Sequence, residues 1–256
     1  MERRRIYLMR HGAVAYFDGD GRPVAPDDVP LTSEGRRQAA AAATLLDGTP
    51  LDRVISSDLP RAVETAALVA PGREVEAWPE LREIAGDRFS AIPPTELERE
   101  FVGALHGIVP NDKRFLGGET IGELFDRVLP AVDRVLGDAT WDTALVVAHG
   151  AVNRAILSHA LLGERVFLGR FEQSPGCLNV LDVSSESPPE WIVRAVNIAP
   201  GDPAHSGTRL TQMEQYWREY VPRVDTRSDG SENAERAESL PPSRVVLDAD
   251  PETGGV

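Results

Sequence analysis

Apolar residues along this chain recur with two periods, one typical of buried strands and one of helices. Short apolar runs between turn residues predict strands at 5–9, 53–56, 74–78, 143–148, 177–183 and 191–196. Longer segments with helical spacing predict helices at 33–46, 59–69, 95–105, 120–136, 151–162 and 210–220. Strands that alternate with helices in this way form a mainly parallel sheet with helices on both faces. The pattern therefore predicts an α/β fold, a single three-layer α/β/α domain.

Local signals mark the ends of several predicted helices. Thr32 or Ser33 can cap the first helix, and Thr120 with Glu123 has the spacing of a capping box at the start of the fourth. Gly163 follows the fifth helix and is expected to end it, because glycine readily adopts the left-handed conformation there.

Three segments lack a regular period. The segment at 18–30 is a Gly/Asp/Pro-rich loop, and the segment at 86–118 is irregular apart from one helix. Beyond residue 222 the chain is rich in Ser, Glu, Asp, Pro and Gly, a composition that buries too little surface to offset the entropy of ordering. We therefore expect a domain at 1–222 and a flexible, disordered acidic tail at 223–256.

Composition narrows the classes of partner and compartment. The 256 residues carry a formal net charge of -14, which argues against nucleic acid or an anionic membrane surface as a partner. The apolar runs are too short to span a bilayer. The single cysteine, Cys177, precludes an internal disulfide, suits a reducing compartment and is expected to pack as a small buried hydrophobe. Together these features predict a cytoplasmic protein.

Two histidines follow predicted strands in the same way. His11 comes after the strand at 5–9, His149 comes after the strand at 143–148, and a glycine follows each of them, Gly12 and Gly150. In open α/β sheets, ligands bind at the carboxyl ends of the strands. The two imidazoles are therefore expected to face one pocket, and each glycine allows the backbone to approach a ligand closely.

Charged residues also lie near these strand ends. Arg10 adjoins His11, Arg61 follows the strand at 53–56, and Glu83 follows the strand at 74–78. Guanidinium groups match phosphate oxygens, and a carboxylic acid can protonate a leaving oxygen. One imidazole attacking phosphorus, with cations around the equatorial oxygens, would complete a site for phosphoryl transfer.

Each residue also has a purely structural interpretation. Arg61 and Glu83 would be ordinary solvated surface residues, and His149 a histidine in a tight turn. Metal binding is a further alternative, but the sequence has no His-Glu-x-x-His, cysteine pair or Asp-x-Asp cluster, and two arginines would repel a divalent cation. We therefore expect neither a metal nor an organic cofactor.

Several motifs resemble those of the histidine phosphatase, or phosphoglycerate mutase-like, superfamily, and in particular its phosphatase branch. They follow the family's order and spacing between residue 5 and about residue 200: Arg10-His11-Gly12, 31–39, 56–66, Leu81-Arg82-Glu83-Ile84, Gly117-Gly118-Glu119-Thr120 and 146–154.

The resemblance implies a role for each matching residue. His11 would form a phosphohistidine, Glu83 would donate the proton to the leaving group, and Arg10, Arg61 and His149 would bind the phosphoryl group. Ser57, Gly12 and Gly150 would contribute secondary substrate contacts. Hydrolysis of a phosphate monoester would then proceed in two steps without a metal, water attacking the phosphohistidine in the second.

The sequence departs from the family's pattern after the first histidine. Ala13, Val14 and Phe17 stand where many members have Glu, Thr and Asn, and 86–90 replaces the usual Gly-x-Trp-Glu-Gly. These changes leave the substrate open, with a small phosphorylated metabolite as the expected class and a homodimer possible. The alternatives are phosphoryl transfer of the phosphoglycerate mutase type and a catalytically inactive binding protein of the same fold.

Overall fold

The computed structural model describes residues 2–16, 24–25, 27–87 and 92–219. Its strands are β1 Arg3–Arg10, β2 Arg53–Ser57, β3 Glu76–Trp78, β4 Ile108–Val109, β5 Thr143–Ala148, β6 Phe167–Leu168, β7 Leu178–Ser184 and β8 Trp191–Ile198. Its helices are α1 Ser33–Leu45, α2 Pro60–Val69, α3 Pro94–Val102, α4 Ile121–Gly137, α5 Gly150–Leu162 and α6 at 212–219, with a 3₁₀ turn at Pro79–Leu81.

Six strands form one sheet in the order β3-β2-β5-β1-β7-β8. The first four of these are parallel, whereas β7 pairs antiparallel with β1, and β8 pairs antiparallel with β7. The mainly parallel sheet is therefore confirmed, with an antiparallel pair on one edge. β4 and β6 form a separate two-stranded ladder that the sequence pattern did not predict.

The two faces of the sheet bury separate apolar clusters, as β5 illustrates. Ala144, Val146 and Ala148 belong to the cluster that includes α4 and α5, whereas Leu145 and Val147 belong to the cluster that includes α1 and α2. Successive side chains of a strand point to opposite faces, so a strand covered on both sides is apolar throughout. The three-layer arrangement follows from this pattern and is confirmed.

The predicted helix ends are also confirmed. The Thr32 side chain accepts a hydrogen bond from the Gly35 backbone at the start of α1. Thr120 and Glu123 form both bonds of a capping box at the start of α4. Gly163 ends α5 with φ of 68°, the left-handed conformation expected there.

Several expectations fall beyond what the structure describes. The tail at 223–256 and the domain limit at 222 lie outside the described residues, as do Phe17, most of the loop at 18–30 and residues 88–90. Every strand and nearly all helical residues lie in one compact unit, Met1–Arg218. None of the described helices combines the length and apolar character that a membrane span requires.

Candidate active site

The two predicted histidines meet at the carboxyl ends of adjacent parallel strands. His11 follows β1 and His149 follows β5, and the register pairs Arg10 with Ala148 just before them. Their ring centroids are 5.0 Å apart with an interplanar angle of 61°. Both side chains are buried, with 1% of His11 and none of His149 exposed. The sheet topology thus brings together two residues that are 138 positions apart in the sequence.

One hydrogen bond determines the orientation of the His11 imidazole. Its Nδ1 lies 2.7 Å from the Gly12 carbonyl oxygen. A carbonyl oxygen only accepts, so Nδ1 carries the proton and Nε2 keeps its lone pair. Burial, followed by the charges of Arg10 and Arg61, holds the His11 pKa well below its usual value of 6.5. His11 is therefore a neutral imidazole with an unprotonated Nε2 at neutral pH, which is the form a nucleophile requires.

His149 is buried without a hydrogen-bond partner for either ring nitrogen in the described part of the chain. It is the N-cap residue of α5, but its side chain makes no capping bond. Burial, and then the nearby His11 and Arg61, hold its pKa well below the usual histidine value. A buried polar group without a partner costs free energy. A ligand with acceptor oxygens between the two imidazoles would provide the missing partner.

Two buried arginines adjoin the imidazoles. Arg10 is 4% exposed, and its Nη1 and Nη2 donate to the Gln173 carbonyl, to Gln212 Oε1 at 3.3 Å and to the Tyr216 hydroxyl at 3.1 Å. Arg61 lies in the first turn of α2 and is 2% exposed. After burial, the charge of Arg61 is one of the causes that lower the pKa of both histidines. The arginines give the site the positive potential that an anion requires.

Glu83 lies at the amino end of α5, beside His149. Its Oε1 accepts hydrogen bonds from the backbone nitrogens of Ile84 and Ala151, each at 3.0 Å. A Cβ added to Gly150 would lie 3.4 Å from Glu83 Oε2 and 3.9 Å from the Arg10 guanidinium carbon. The acid, the arginine and α5 thus converge on Gly150. The structure brings all five predicted catalytic residues to one site.

The three predicted secondary residues have different surroundings. Gly150 faces the site and leaves room beside Glu83. Gly12 instead packs on α1, since a Cβ there would lie 2.4 Å from the Gly35 carbonyl oxygen. Ser57 is buried, and its hydroxyl accepts from the Leu59 backbone at 3.3 Å in the turn before α2. The substrate contacts of Gly12 and Ser57 remain predictions, and the contacts described here are structural.

The structure adds two positioning groups that sequence reasoning missed. Thr65 accepts from the Gly12 backbone at 3.1 Å and donates to the Arg61 carbonyl at 2.7 Å, so it joins the segments that carry His11 and Arg61. Arg127 donates to the carbonyls of Glu80, Arg82 and Glu83 and forms an ion pair with Glu119 at 2.7 Å.

A local sequence signal existed for Thr65 and for Glu119, the ion-pair partner of Arg127. Thr65 and Glu119 both lie inside the segments that carry the family resemblance, and this could have drawn attention to them. No local sequence signal points to Arg127. It lies on the polar side of the amphipathic pattern of α4, and the carbonyl groups to which it donates belong to residues more than 40 positions away.

The arrangement of His, Cys, Asp and Glu side chains bears on whether the described residues could bind a metal ion. Within 2–16, 24–25, 27–87 and 92–219, no three or more His, Cys, Asp and Glu side chains are grouped so as to hold a metal ion. The site consists of two imidazoles, two guanidinium groups and one carboxylate.

Two curated phosphatases resemble this chain in sequence. The 2-carboxy-D-arabinitol-1-phosphatase of Triticum aestivum is 30% identical over 212 residues, 79% of this chain but 42% of the wheat protein, so this chain spans less than half the length of that relative. The adenosylcobalamin/alpha-ribazole phosphatase of Salmonella typhimurium is 31% identical over 186 residues, 70% of this chain and 90% of that protein.

A solved structure and a family model complete the comparison. A mycobacterial glucosyl-3-phosphoglycerate phosphatase, solved in complex with VO3, superimposes with a TM-score of 0.59 at 26% identity, covering 76% of this chain and 98% of that one. The sequence model of the histidine phosphatase superfamily (branch 1) matches residues 6–198, the span that holds all five residues of the site. The chain therefore belongs to branch 1 of the histidine phosphatase superfamily.

Proposed function

We propose that this protein hydrolyses a phosphate monoester through a phosphohistidine on His11. The observation that carries the proposal is the pair of buried, neutral imidazoles 5.0 Å apart, one with an unprotonated Nε2 and both subject to the charges of two buried arginines. The family of the chain, and the phosphatase names of its relatives, support the same chemistry.

In the first step, His11 Nε2 attacks phosphorus and the bond from phosphorus to the ester oxygen breaks. Glu83 gives a proton to that oxygen, and the alcohol leaves. Arg10, Arg61 and His149 bind the equatorial oxygens, whose negative charge they stabilise in the transition state. The neutral His11 needs no deprotonation before attack, because its pKa is held well below 6.5.

In the second step, water attacks the phosphohistidine. The Glu83 carboxylate accepts a proton from the water and the N–P bond breaks. Inorganic phosphate then leaves, and the neutral His11 imidazole is regenerated. The backbone bonds from Ile84 and Ala151 hold Glu83 in place for both proton transfers. We place the substrate among small phosphorylated metabolites and the protein in the cytoplasm, where its one free, buried cysteine would stay reduced.

Phosphate release from a panel of small phosphate monoesters, with EDTA present, tests the proposal. We expect wild-type protein to release phosphate and His11→Ala to release none. His106→Ala is the matched control, because His106 is exposed and lies outside the site. Equal release by wild type and His11→Ala would overturn the proposal. Interconversion of phosphoglycerates without phosphate release would favour mutase activity instead, and failure of both reactions would favour a binding protein.

A further inference from the structure

The two imidazoles and two guanidinium groups of the phosphoryl site lie deep in the structure, whereas Glu83 is partly exposed. His11, Arg10, Arg61 and His149 are between 0 and 4% exposed. A phosphate monoester is larger than a water molecule and has to reach His11 Nε2 for the proposed reaction to begin. Movement of part of the surrounding wall would widen the path to His11 Nε2.

Helix α6, at 212–219, forms the wall next to Arg10. Gln212 Oε1 accepts from Arg10 Nη1 at 3.3 Å, and the Tyr216 hydroxyl accepts from Nη2 at 3.1 Å. The Gln212 backbone nitrogen donates to Glu172 Oε1 at 3.3 Å. The apolar residues Met213, Tyr216 and Trp217 are only partly buried against the core. A short helix with partly buried contacts is the kind of element that opens at low free-energy cost.

Tyr16 extends this wall from the other side of the site. Its ring meets the Tyr216 ring edge-to-face, with centroids 5.2 Å apart and planes at 87°. Burial and the neighbouring Tyr216 raise the Tyr16 pKa above its usual range, whereas Arg61 and Arg10 act in the opposite direction. Tyr16 therefore packs against the residue whose hydroxyl accepts a hydrogen bond from Arg10.

Arg10 is a buried cation with neutral partners. Its hydrogen-bond acceptors among the described residues are all uncharged, and its Nε has no hydrogen-bond partner among them. Three neutral oxygens, from Gln173, Gln212 and Tyr216, hold its Nη1 and Nη2. These bonds fix the plane of the guanidinium while leaving the Nε hydrogen for an anionic oxygen, which is a stronger acceptor than any of the three.

We propose that Gln212 and Tyr216 are positioning residues for Arg10, carried on a helix that opens to admit the ester and closes over it. When α6 is closed, both residues orient the guanidinium toward the phosphoryl group. When α6 opens, the wall formed with Tyr16 parts and the site becomes accessible. The inference rests on the proposed phosphatase function and adds to it a segment that lies beyond the family match at 6–198.

Kinetics of Tyr216→Phe test the positioning role. The substitution keeps the ring and its packing on Tyr16 but removes the oxygen bonded to Arg10. Misplacing a group that stabilises the transition state costs roughly 10-fold to 100-fold in rate. We expect kcat to fall by at least about 10-fold with KM changed less than about 3-fold, and we expect Gln212→Ala to act in the same direction. Tyr7→Phe is the matched control. It also removes a tyrosine hydroxyl, but from β1 rather than from α6, and it should leave kcat unchanged.

Trp217 fluorescence tests the movement of α6 independently of turnover. Trp217 lies next to Tyr216 and its ring packs 5.8 Å from Phe101. Titration of the wild-type protein with inorganic phosphate should change the emission and saturate, and the change should be absent in Trp217→Phe, which retains the other three tryptophans.

The outcomes separate the inference from the function on which it rests. If wild type hydrolyses esters, but Tyr216→Phe matches it in kcat and phosphate leaves the Trp217 emission unchanged, the inference is wrong and the function stands. If wild type hydrolyses no ester and binds no phosphate, both are wrong. A large loss of kcat in Tyr216→Phe with a saturating Trp217 signal supports the inference.

Discussion

Gly35→Ala is a substitution for which helix propensity and packing predict opposite results. Gly35 lies in the first turn of α1, and alanine is about 1 kcal/mol more favourable than glycine inside a helix. The added Cβ, however, would lie 2.2 Å from the carbonyl oxygen of Ala13 and 2.8 Å from its nitrogen. Both distances are well inside non-bonded contact, so the chain must shift to accept the methyl group.

The obstructing atoms are backbone atoms that other bonds hold in place. The Ala13 carbonyl accepts from the Thr32 backbone at 2.9 Å and from the Thr32 hydroxyl at 3.0 Å, and the Ala13 nitrogen donates to Gln38 Oε1 at 2.8 Å. Overpacking typically costs about 1–3 kcal/mol, and it costs more where no side chain can rotate away. We expect a net loss of about 2 kcal/mol in the free energy of unfolding. Turnover should fall as well, because Ala13 is two residues from His11.

Urea unfolding followed by circular dichroism measures this loss. Gly137→Ala is the matched control, since apart from its chain neighbours and the adjacent backbone of α4 no heavy atom lies within 4 Å of the Cβ it would add. That variant should be unchanged or more stable by up to about 1 kcal/mol. A Gly35→Ala protein as stable as wild type, with full activity, would refute the packing argument.

The remaining predictions concern the pH dependence of activity and stability, the capping box of α4 and the Cys177 thiol. Because the His11 and His149 pKa values are held below 6.5, the acid limb of kcat/KM should lie below pH 6.5; a limb at or above that pH would contradict the burial argument. Between the lowered histidine pKa values and about pH 6.5, the unfolded chain binds more protons than the folded protein. The urea midpoint of unfolding should therefore fall as the pH drops below about 6.5. Thr120→Ala should lose about 1 kcal/mol of stability through its capping box, measured by urea unfolding, with kcat unchanged. Burial raises the Cys177 pKa to about 12, so iodoacetamide should label the thiol only in unfolded protein, as mass spectrometry would show; rapid labelling of native protein would disprove its burial.

Local sequence patterns were sufficient for most of the fold. β5 matches its predicted bounds because its residues are apolar on both faces and turn residues flank it. The capping box of α4 was predictable because two residues, Thr120 and Glu123, carry the whole signal. The β4 and β6 strands were not predictable, because two residues each are too few to show a period.

The candidate site likewise contains residues that the sequence could indicate and contacts that it could not. The sequence could indicate His11, His149, Arg10, Arg61 and Glu83, because each follows a predicted strand and the carboxyl ends of parallel strands meet. It could not indicate that Tyr216, 206 positions from Arg10, would contact it, because that contact depends on how α6 packs. Long-range contacts of this kind have no local pattern.

The direct test of the central claim is the detection of phosphohistidine on His11. Wild-type protein and His11→Asn would be mixed with a ³²P-labelled ester, with EDTA present, and quenched in alkaline denaturant within the first turnovers. We predict label on the wild-type chain that maps to His11 and decays as phosphate is released, with none on His11→Asn. Phosphate release without label on the chain, or label on another residue, would contradict the account.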